Sequence, residues 1–272
     1  MDSTTGAVDR PAGGAAPRPA KKELRMTDPL RRVLMGVVAP ATNITVQPEM
    51  EALRPAGVIN AHARIPNRDQ AVASDADTLA VRAAMVAGLM DALDTLVPCH
   101  PDHCAIGVMV ENFAGGGEAG AKLLRDAEER LGCPVTDVSS SLLAALQALF
   151  GRPARIAVLT PFMPVGDAAA RRLFEEAGHE VVRLVGLRAP SPAAIALLPE
   201  QRLRDALREL EGPEVEAIVQ VGTNLPFAVL AQAAETLFGK PVLASNPTTY
   251  WHALRRAGVT QPLPVPGRLA EL

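Results

Sequence analysis

Apolar and polar positions along the chain follow two alternating patterns. From Val33 onward, short runs of Val, Ile, Leu and Ala alternate with longer segments in which apolar residues recur every three or four positions. Continuous apolar runs are typical of strands buried on both faces, and their alternation with helices is typical of βαβ units around a parallel sheet. This pattern predicts strands at Val33–Val38, Gly57–Ala61, Ala105–Val110, Val135–Val138, Ile156–Leu159, Glu180–Val185, Ala217–Val221 and Pro241–Ala244.

The strongest helical pattern runs from Asp75 to Leu96, with Ser74 or Asp75 suited to cap its N-terminus. Its spacing predicts a broad apolar face made of Leu79, Val81, Met85, Leu89, Leu93 and Leu96. Further helices are predicted at Glu118–Leu131, Ser140–Phe150, Gly166–Ala177, Gln201–Leu210, Pro226–Leu237 and Pro247–Ala257.

A weak internal repeat divides the chain into two similar halves. The segment Val33–Pro40 resembles Arg155–Pro161, because each is an apolar strand stopped by proline, and Ala105–Glu111 likewise mirrors Ala217–Gly222. We therefore expect an α/β fold of two similar Rossmann-like domains with parallel sheets, related by pseudo-twofold symmetry. The expected domains are residues 26–150 and 151–272, and the last strand or helix is a candidate to cross between the lobes.

Residues 1–25 are rich in Ala, Gly, Pro, Asp and Lys and lack apolar periodicity, which favours a disordered tail. This segment also lacks the uninterrupted apolar core of a secretory signal. Met26 is a second candidate start of the natural chain.

Composition excludes several classes of partner. The 27 Lys and Arg are outnumbered by 30 Asp and Glu, so the chain lacks the basic footprint of a nucleic-acid-binding protein. Aromatic residues make up only 3%, which leaves little material for base stacking.

No apolar stretch reaches the ~20 residues of a membrane helix. Three cysteines do not form a disulfide framework and favour a reducing, cytoplasmic setting. A homodimer is the default expectation for an enzyme of this size.

Four loops follow predicted strands and carry hydroxyl or amide side chains. They contain Thr42 with Asn43, Glu111 with Asn112, Thr160 with Phe162, and Gly222 with Thr223 and Asn224. Ligands of open parallel sheets bind outside the carboxyl ends of the strands, where helix N-termini favour anions. Any one such loop is more often only a helix cap, but four together indicate a binding site for a small carboxylate substrate.

Glu111 is the one strongly titratable residue at these strand ends. Partial burial without a cationic partner would raise its pKa toward the range useful for proton transfer near neutrality, so it is the candidate general base. The alternative is a carboxylate that lies on the surface or caps a helix.

Other polar segments are weaker candidates. The cysteines and histidines of Cys99–Cys104 match no common zinc spacing, so we predict a polar turn and no metal site. The run Gly115–Gly117 lacks the Lys-Ser/Thr sequel of a phosphate loop and is interpreted as a flexible loop over the cleft. His62 and Arg64 follow a predicted strand and are expected to be solvated, and Cys133 is expected to pack as a small apolar residue.

The sequence of these loops resembles the maleate cis-trans isomerase and arylmalonate decarboxylase group of the aspartate/glutamate racemase superfamily. The resemblance spans about Leu34 to Gly258. It rests on four blocks: Val38–Thr45 followed by Glu49, Asp137–Leu146, Arg155–Phe162 and Gly222–Leu225. The resemblance implies two α/β domains with a cofactor-free active site between them, in which Asn43 contacts the substrate carboxylate.

The chain departs from this group at the positions that matter for chemistry. In the isomerases and racemases of this superfamily two cysteines face each other across the cleft, and the decarboxylases keep only the second. Here the resemblance places Glu111 at the first position, or Asn112 if the alignment slips by one residue, and Gly222 at the second. Phe162 stands where a tyrosine is expected. We therefore predict an isomerase or decarboxylase-like lyase without cofactor that uses Glu111, and disfavour racemisation, which ordinarily needs two opposed groups. The alternative is a catalytically degenerate protein that binds a small carboxylate.

Overall fold

The structure, a computed structural model, describes residues 33–109, 117–263 and 267–271. The predicted tail at residues 1–25 lies outside these ranges, and so do Glu111, Asn112 and the first two glycines of Gly115–Gly117.

Two parallel sheets of four strands each form the centre of the fold, with strand orders β2-β1-β3-β4 and β6-β5-β7-β8. The two halves of the sequence therefore repeat one topology, which confirms the predicted α/β fold. The strands are β1 Val33–Pro40, β2 Val58–Ile65, β3 His103–Ile106, β4 Val135–Asp137, β5 Arg155–Thr160, β6 Glu180–Gly186, β7 Ala217–Gln220 and β8 Val242–Ala244.

Helices connect the strands and cover the faces of the sheets. They are α1 Val46–Ala52, α2 Asp75–Leu96, α3 Gly117–Leu131, α4 Val138–Phe150, α5 Pro164–Glu176, α6 Glu200–Leu210, α7 Ala228–Phe238 and α8 Ser245–Arg256. Short 3₁₀ turns lie at Val97–Cys99, Ala194–Leu197 and Arg268–Glu271. None of the helices in the described ranges is long and apolar enough to cross a membrane.

Local sequence signals explain several helix boundaries. A capping box starts α2, because the Ser74 hydroxyl accepts from the Asp77 N–H and the Asp77 carboxylate accepts from the Ser74 N–H. The side chain of Asp137 accepts from the N–H groups of Ser139 and Ser140 and caps α4. Helix α4 ends at Gly151, which adopts a left-handed conformation with φ 63°.

The predicted third strand, Ala105–Val110, is wrong at both ends. Strand β3 starts earlier because His103 and Cys104 pair with Met35 and Gly36 of β1. The polar ring of His103 is tolerated inside the sheet because it forms a 2.7 Å hydrogen bond with the Thr136 hydroxyl. The predicted polar turn from Cys99 to Cys104 is therefore wrong for its last two residues.

The apolar face predicted for α2 is wrong at Leu79, which is 50% exposed. The buried positions instead follow the helical period as Thr78, Arg82, Met85, Leu89, Ala92, Leu93 and Leu96. The first turns of α2 pack against α5, and the Asp75 carboxylate accepts from the Val165 N–H. The start of α2 thus faces α5 of the other half of the chain and not the apolar face of a sheet. Thr78 and Arg82 are therefore buried where a sheet face would require apolar residues.

The largest cluster of buried apolar side chains includes residues of both sheets, among them Val37 of β1 and Val158 of β5. Helix α8 follows the last strand but packs on α4 of the first half. The Tyr250 hydroxyl of α8 donates to the Asn60 Oδ1 of β2 at 2.8 Å. Trp251 of α8 is buried in this shared core.

Candidate active site

A cavity of about 110 Å³ lies where the loops after β1, β5 and β7 meet. Six residues singled out in the sequence line it together: Thr42, Asn43, Phe162, Gly222, Thr223 and Asn224. Met109, the last residue described before position 110, lines it as well. Glu111 and Asn112, which complete the predicted set, lie outside the described residues. Thr160 does not line the cavity.

Asn43 and Thr223 join the two halves of the chain beside the cavity. The Asn43 side chain donates from Nδ2 to the Thr223 hydroxyl at 3.0 Å, and that hydroxyl donates to the Gly107 carbonyl at 2.8 Å. The Asn43 Oδ1 accepts from the N–H groups of Thr45 and Val46 at the start of α1, both at 2.9 Å. Asn43 is therefore fixed in place and keeps one Nδ2 hydrogen for a ligand.

The Nδ2 group of Asn224 is fully occupied by the protein. It donates to the carbonyls of Thr42 and Pro192, and the Oδ1 accepts from the Ile44 N–H at 2.9 Å. The Thr45 hydroxyl lies 3.0 Å from the Asn224 backbone carbonyl and 3.3 Å from Oδ1. Both amide hydrogens are used. The side chain of Asn224 thus holds the loops together and has no hydrogen left to donate to a ligand.

The loop after β7 offers backbone donors instead. Within the described chain, the N–H groups of Gly222, Thr223 and Asn224 have no acceptor, although all three residues are buried. Gly222 adopts φ 112°, which favours glycine. A Cβ at Gly222 would lie 2.6 Å from Pro161 Cδ, so the chain passes too close to Pro161 for a side chain here.

Thr160 holds the loop that carries Phe162, a residue of the cavity wall, through hydrogen bonds. It is fully buried, and its hydroxyl donates to Asp167 and accepts from the Phe162 N–H at 3.1 Å. Arg188 binds the other Asp167 oxygen and the Phe162 carbonyl. These bonds fix the loop that carries Phe162.

The remaining wall, as the described residues form it, is mainly apolar and includes one cation. Helix α2 contributes Thr78, Val81, Arg82 and Met85, which share a face because they are three or four residues apart. Arg82 is only 8% exposed, and burial, followed by the nearby charge of Arg172, lowers its pKa. Arg82 is not among the candidate residues predicted from the sequence. The signal that could have found it is its spacing: Arg82 lies four residues after Thr78 and three before Met85, so the three side chains share the face of α2 that lines the cavity.

Glu49 of α1 caps a helix of the other half. One carboxylate oxygen accepts from the N–H groups of Phe227 and Ala228 at the start of α7, both at 3.1 Å, and the other accepts from Asn246 Nδ2 at 2.7 Å. Burial raises the pKa of Glu49, against the lowering effect of these hydrogen bonds. Glu49 of the first half thus fixes the end of the loop between β7 and α7 in the second half.

The two charged residues that follow the predicted second strand belong to β2 and do not line the cavity. His62 pairs with Glu51 at 3.0 Å, and Arg64 donates to the Asn43 carbonyl and the Gln47 side chain. Strand β2 is an edge strand, where polar side chains reach solvent or neighbouring helices.

The chain's three cysteines, all in the described ranges, lie away from the cavity lining. Cys99 is exposed, whereas Cys104 and Cys133 are buried in one apolar cluster, as expected for Cys133. Burial lowers the pKa of the neighbouring His103 to about 3. In the part of the chain that the structure describes, no three His, Cys, Asp or Glu side chains are grouped to hold a metal ion.

The model of the arylmalonate decarboxylase family matches residues 104–270, which is more than half of the chain. The chain belongs to the arylmalonate decarboxylase family. It is 27% identical over 250 residues to the maleate isomerase of Nocardia farcinica, covering 88% of this chain and 95% of that protein.

Solved structures of this family and of maleate isomerases share the fold. A variant of the Nocardia farcinica maleate cis-trans isomerase, solved with a covalently bound succinylcysteine intermediate, superposes with a TM-score of 0.78 at 24% identity, covering 88% of this chain and 98% of that chain. For arylmalonate decarboxylase the TM-score is 0.68 at 21% identity, covering 88% and 99%. Its family and its maleate isomerase relative support an enzyme of the isomerase or decarboxylase kind.

Proposed function

We propose that this enzyme moves a proton at the carbon next to a carboxylate or carbonyl of a small organic acid, as a cofactor-independent isomerase or decarboxylase. The observation that carries the proposal is the row of unpaired N–H groups at Gly222, Thr223 and Asn224 on the cavity wall. Fixed backbone donors of this kind stabilise the negative charge that develops on an enediolate. The free Nδ2 hydrogen of Asn43 and the Thr42 hydroxyl are further donors for the substrate carboxylate.

Glu111 is the proposed acid and base. It follows Met109, which lines the cavity, by two residues in the sequence. In a decarboxylation the bond to one carboxylate breaks, CO₂ leaves, and its electron pair forms the enediolate. The Glu111 carboxyl then gives its proton to the carbon and recovers one from solvent. In an isomerisation the same carboxylate removes a proton from the carbon next to the carboxylate or carbonyl, and the electron pair of that C–H bond forms the enediolate. Glu111 then returns the proton, on the same face, to another carbon of the conjugated system, so that the double bond moves.

The test compares the wild type with Glu111→Gln by proton NMR in heavy water, over α-substituted malonates, maleate and related acids. We expect deuterium incorporation or turnover in the wild type and a loss of at least about 100-fold in Glu111→Gln, the size of general acid–base effects. Asn112→Ala is the matched control, because Asn112 is the alternative residue at this position. Activity that survives in Glu111→Gln and disappears in Asn112→Ala would transfer the role to Asn112.

A second candidate function is the binding of a small carboxylate without catalysis. The position of all three cysteines away from the cavity favours it, because relatives use thiols for the chemistry. This function predicts that acids bind to the wild type but exchange no proton in heavy water.

A further inference from the structure

Two buried side-chain amides bond to the loop after β7 without lining the cavity. Gln220 is 1% exposed and ends the apolar run of β7, and Asn246 is 2% exposed and lies in the first turn of α8. Burying an amide is costly unless it is hydrogen-bonded. The partners of these two amides therefore indicate their role.

Asn246 bonds to the middle of a tight turn. The turn spans residues 222–225, and its first carbonyl accepts from its last N–H at 3.2 Å. The Nδ2 group of Asn246 donates to the Thr223 carbonyl inside this turn at 2.8 Å and to the Glu49 carboxylate at 2.7 Å. Both partners are acceptors, so they fix the orientation of the amide.

The bond from Asn246 sets the direction of the Asn224 N–H. In a trans peptide the carbonyl and the N–H point in opposite directions, so this N–H points away from Asn246, toward the side on which the loop lines the cavity. The bond that closes the turn does not fix this central peptide, because two common turn types differ by its reversal. The reversed turn needs a positive φ at Asn224, which asparagine tolerates but which Asn224 does not have here.

Gln220 holds the preceding peptide in the same way. Its Nε2 donates to the Gly222 carbonyl at 2.7 Å, so the Thr223 N–H of that peptide points away from Gln220. Its Oε1 accepts from the Ser245 N–H at 3.0 Å, which fixes the orientation of this amide too. The N–H groups of Thr223 and Asn224, which have no acceptor in the described chain, are thus directed by side chains outside the cavity lining.

We propose that Asn246 and Gln220 are positioning residues that aim these two N–H groups at the negative charge of the substrate without contacting it. Donors that are already aimed stabilise a developing charge without reorganising during the reaction, whereas a peptide free to reverse loses this advantage. The inference rests on the proposed function for the identity of the charge, the enediolate.

The experiment follows each peptide separately by NMR. The chain contains a single Gly-Thr pair, at residues 222–223, so carbonyl-¹³C glycine combined with ¹⁵N threonine gives one HNCO signal, that of the Thr223 N–H. The probe is acetate, compared with sodium chloride at equal ionic strength. A carboxylate that accepts from an N–H moves the signal of that proton downfield.

A second labelling reports the next peptide. Thr-Asn pairs occur only at residues 42–43 and 223–224, so carbonyl-¹³C threonine combined with ¹⁵N asparagine gives two signals. The signal that remains in Asn224→Ala belongs to Asn43. Its N–H already donates to the Pro40 carbonyl at 3.0 Å, so it is the internal reference.

Asn246→Leu and Gln220→Met remove the two donors with little change in side-chain size. Tyr250→Phe is the matched control, because Tyr250 is buried one turn after Asn246 on α8 and its hydroxyl donates to Asn60 of β2 instead of the loop. Circular dichroism verifies the folding of each variant. If one of the two variants does not fold, the other still tests its own peptide.

In the wild type, acetate should move the Thr223 and Asn224 protons downfield. Asn246→Leu should abolish the response of Asn224, Gln220→Met should abolish that of Thr223, and Tyr250→Phe should keep both. With an acid that turns over in heavy water, the first two variants should lower kcat by about 10- to 100-fold, at or below the loss when an oxyanion donor is removed outright. KM should change much less, because the donors act mainly on charge that develops in the reaction.

A wild type in which neither proton responds to saturating acetate would overturn this inference, and so would equal losses of response in Tyr250→Phe. A response that persists in a folded Asn246→Leu or Gln220→Met would remove the role of that residue. The acetate measurements need no turnover. Responses that require both amides in a protein that exchanges no proton would remove the proposed catalysis and keep the positioning roles. Exchange that continues unchanged in both variants would do the opposite.

Discussion

Gly222 is a position where the backbone leaves no room for a side chain. Its φ of 112° favours glycine, and an added Cβ would lie 2.6 Å from Pro161 Cδ and 2.7 Å from Pro161 Cγ. The absence of a side chain lets the loop pass Pro161 with its N–H groups unpaired at the cavity. The polar residues after Gly222 were visible in the sequence. The hydrogen bonds that occupy the Asn224 amide were not, because Thr42 and Ile44 lie about 180 residues away along the chain and Pro192 lies 32 residues away.

Replacing Gly222 by alanine should destabilise the protein more than the same change at Gly151. At Gly151 φ is 63° and no atom lies within 4 Å of an added Cβ, so Gly151→Ala isolates the cost of a left-handed backbone, about 1–2 kcal/mol. Gly222→Ala adds overpacking against Pro161, and we expect a total loss of about 2–4 kcal/mol. Urea denaturation of both variants measures the difference. Equal losses would mean that the Pro161 ring moves away without cost.

At the scale of elements, most strands and the long helices were predictable, because apolar runs and capping residues are local signals. Helix α2 has the predicted bounds, Asp75–Leu96. Helix α1 was missed because seven residues are too few to show a period and its first N–H groups bond to Asn43, upstream of the helix. The burial of Arg82 on the inner face of α2 could not be predicted, because α5, against which this helix packs, belongs to the other half of the chain.

Glu49 provides a pH-dependent contact between elements α1 and α7. Its pKa is raised from the ordinary value of 4.5 by burial, so the folded state binds the proton more tightly than the unfolded state. Its contribution to stability is fully present below about pH 4.5 and is lost as pH rises through the folded-state pKa. The stability difference between the wild type and Glu49→Gln should therefore decrease from about pH 4.5 toward about pH 7, as measured by urea unfolding.

Glu51, two residues away, is the matched control with the opposite sign. Burial acts against it, but hydrogen bonds from His62, Asn60 and Arg54 lower its pKa below 4.5. Its contribution is present above about pH 4.5 and is lost as pH falls through the folded-state pKa. The wild type minus Glu51→Gln difference should thus shrink toward acidic pH. The same trend in both variants would contradict the assigned direction for Glu49.

For the whole molecule, the position of the cavity followed from topology. Parallel strands bring their carboxyl-end loops to one edge, so the loops after β1, β5 and β7 were predicted to share a site, and Asn43, Phe162 and Thr223 do line one cavity. The depth of the connection between the halves was not predictable, because apolar patterns identify a buried face without identifying its partner. Helix α8 and the shared core join the two sheets.

This shared core predicts that the protein unfolds as one cooperative unit despite its two sheets. Trp251 is the only tryptophan of the chain; it follows the second sheet in sequence but is buried in the cluster that contains Val37 of the first. Its fluorescence and the far-ultraviolet circular dichroism should therefore give coincident urea transitions. Asn224→Ala removes hydrogen bonds to both halves of the chain. It should shift both midpoints together, which corresponds to a loss of about 1–3 kcal/mol in the free energy of unfolding. Two separate transitions, or a shift of one probe alone, would show that the halves unfold independently.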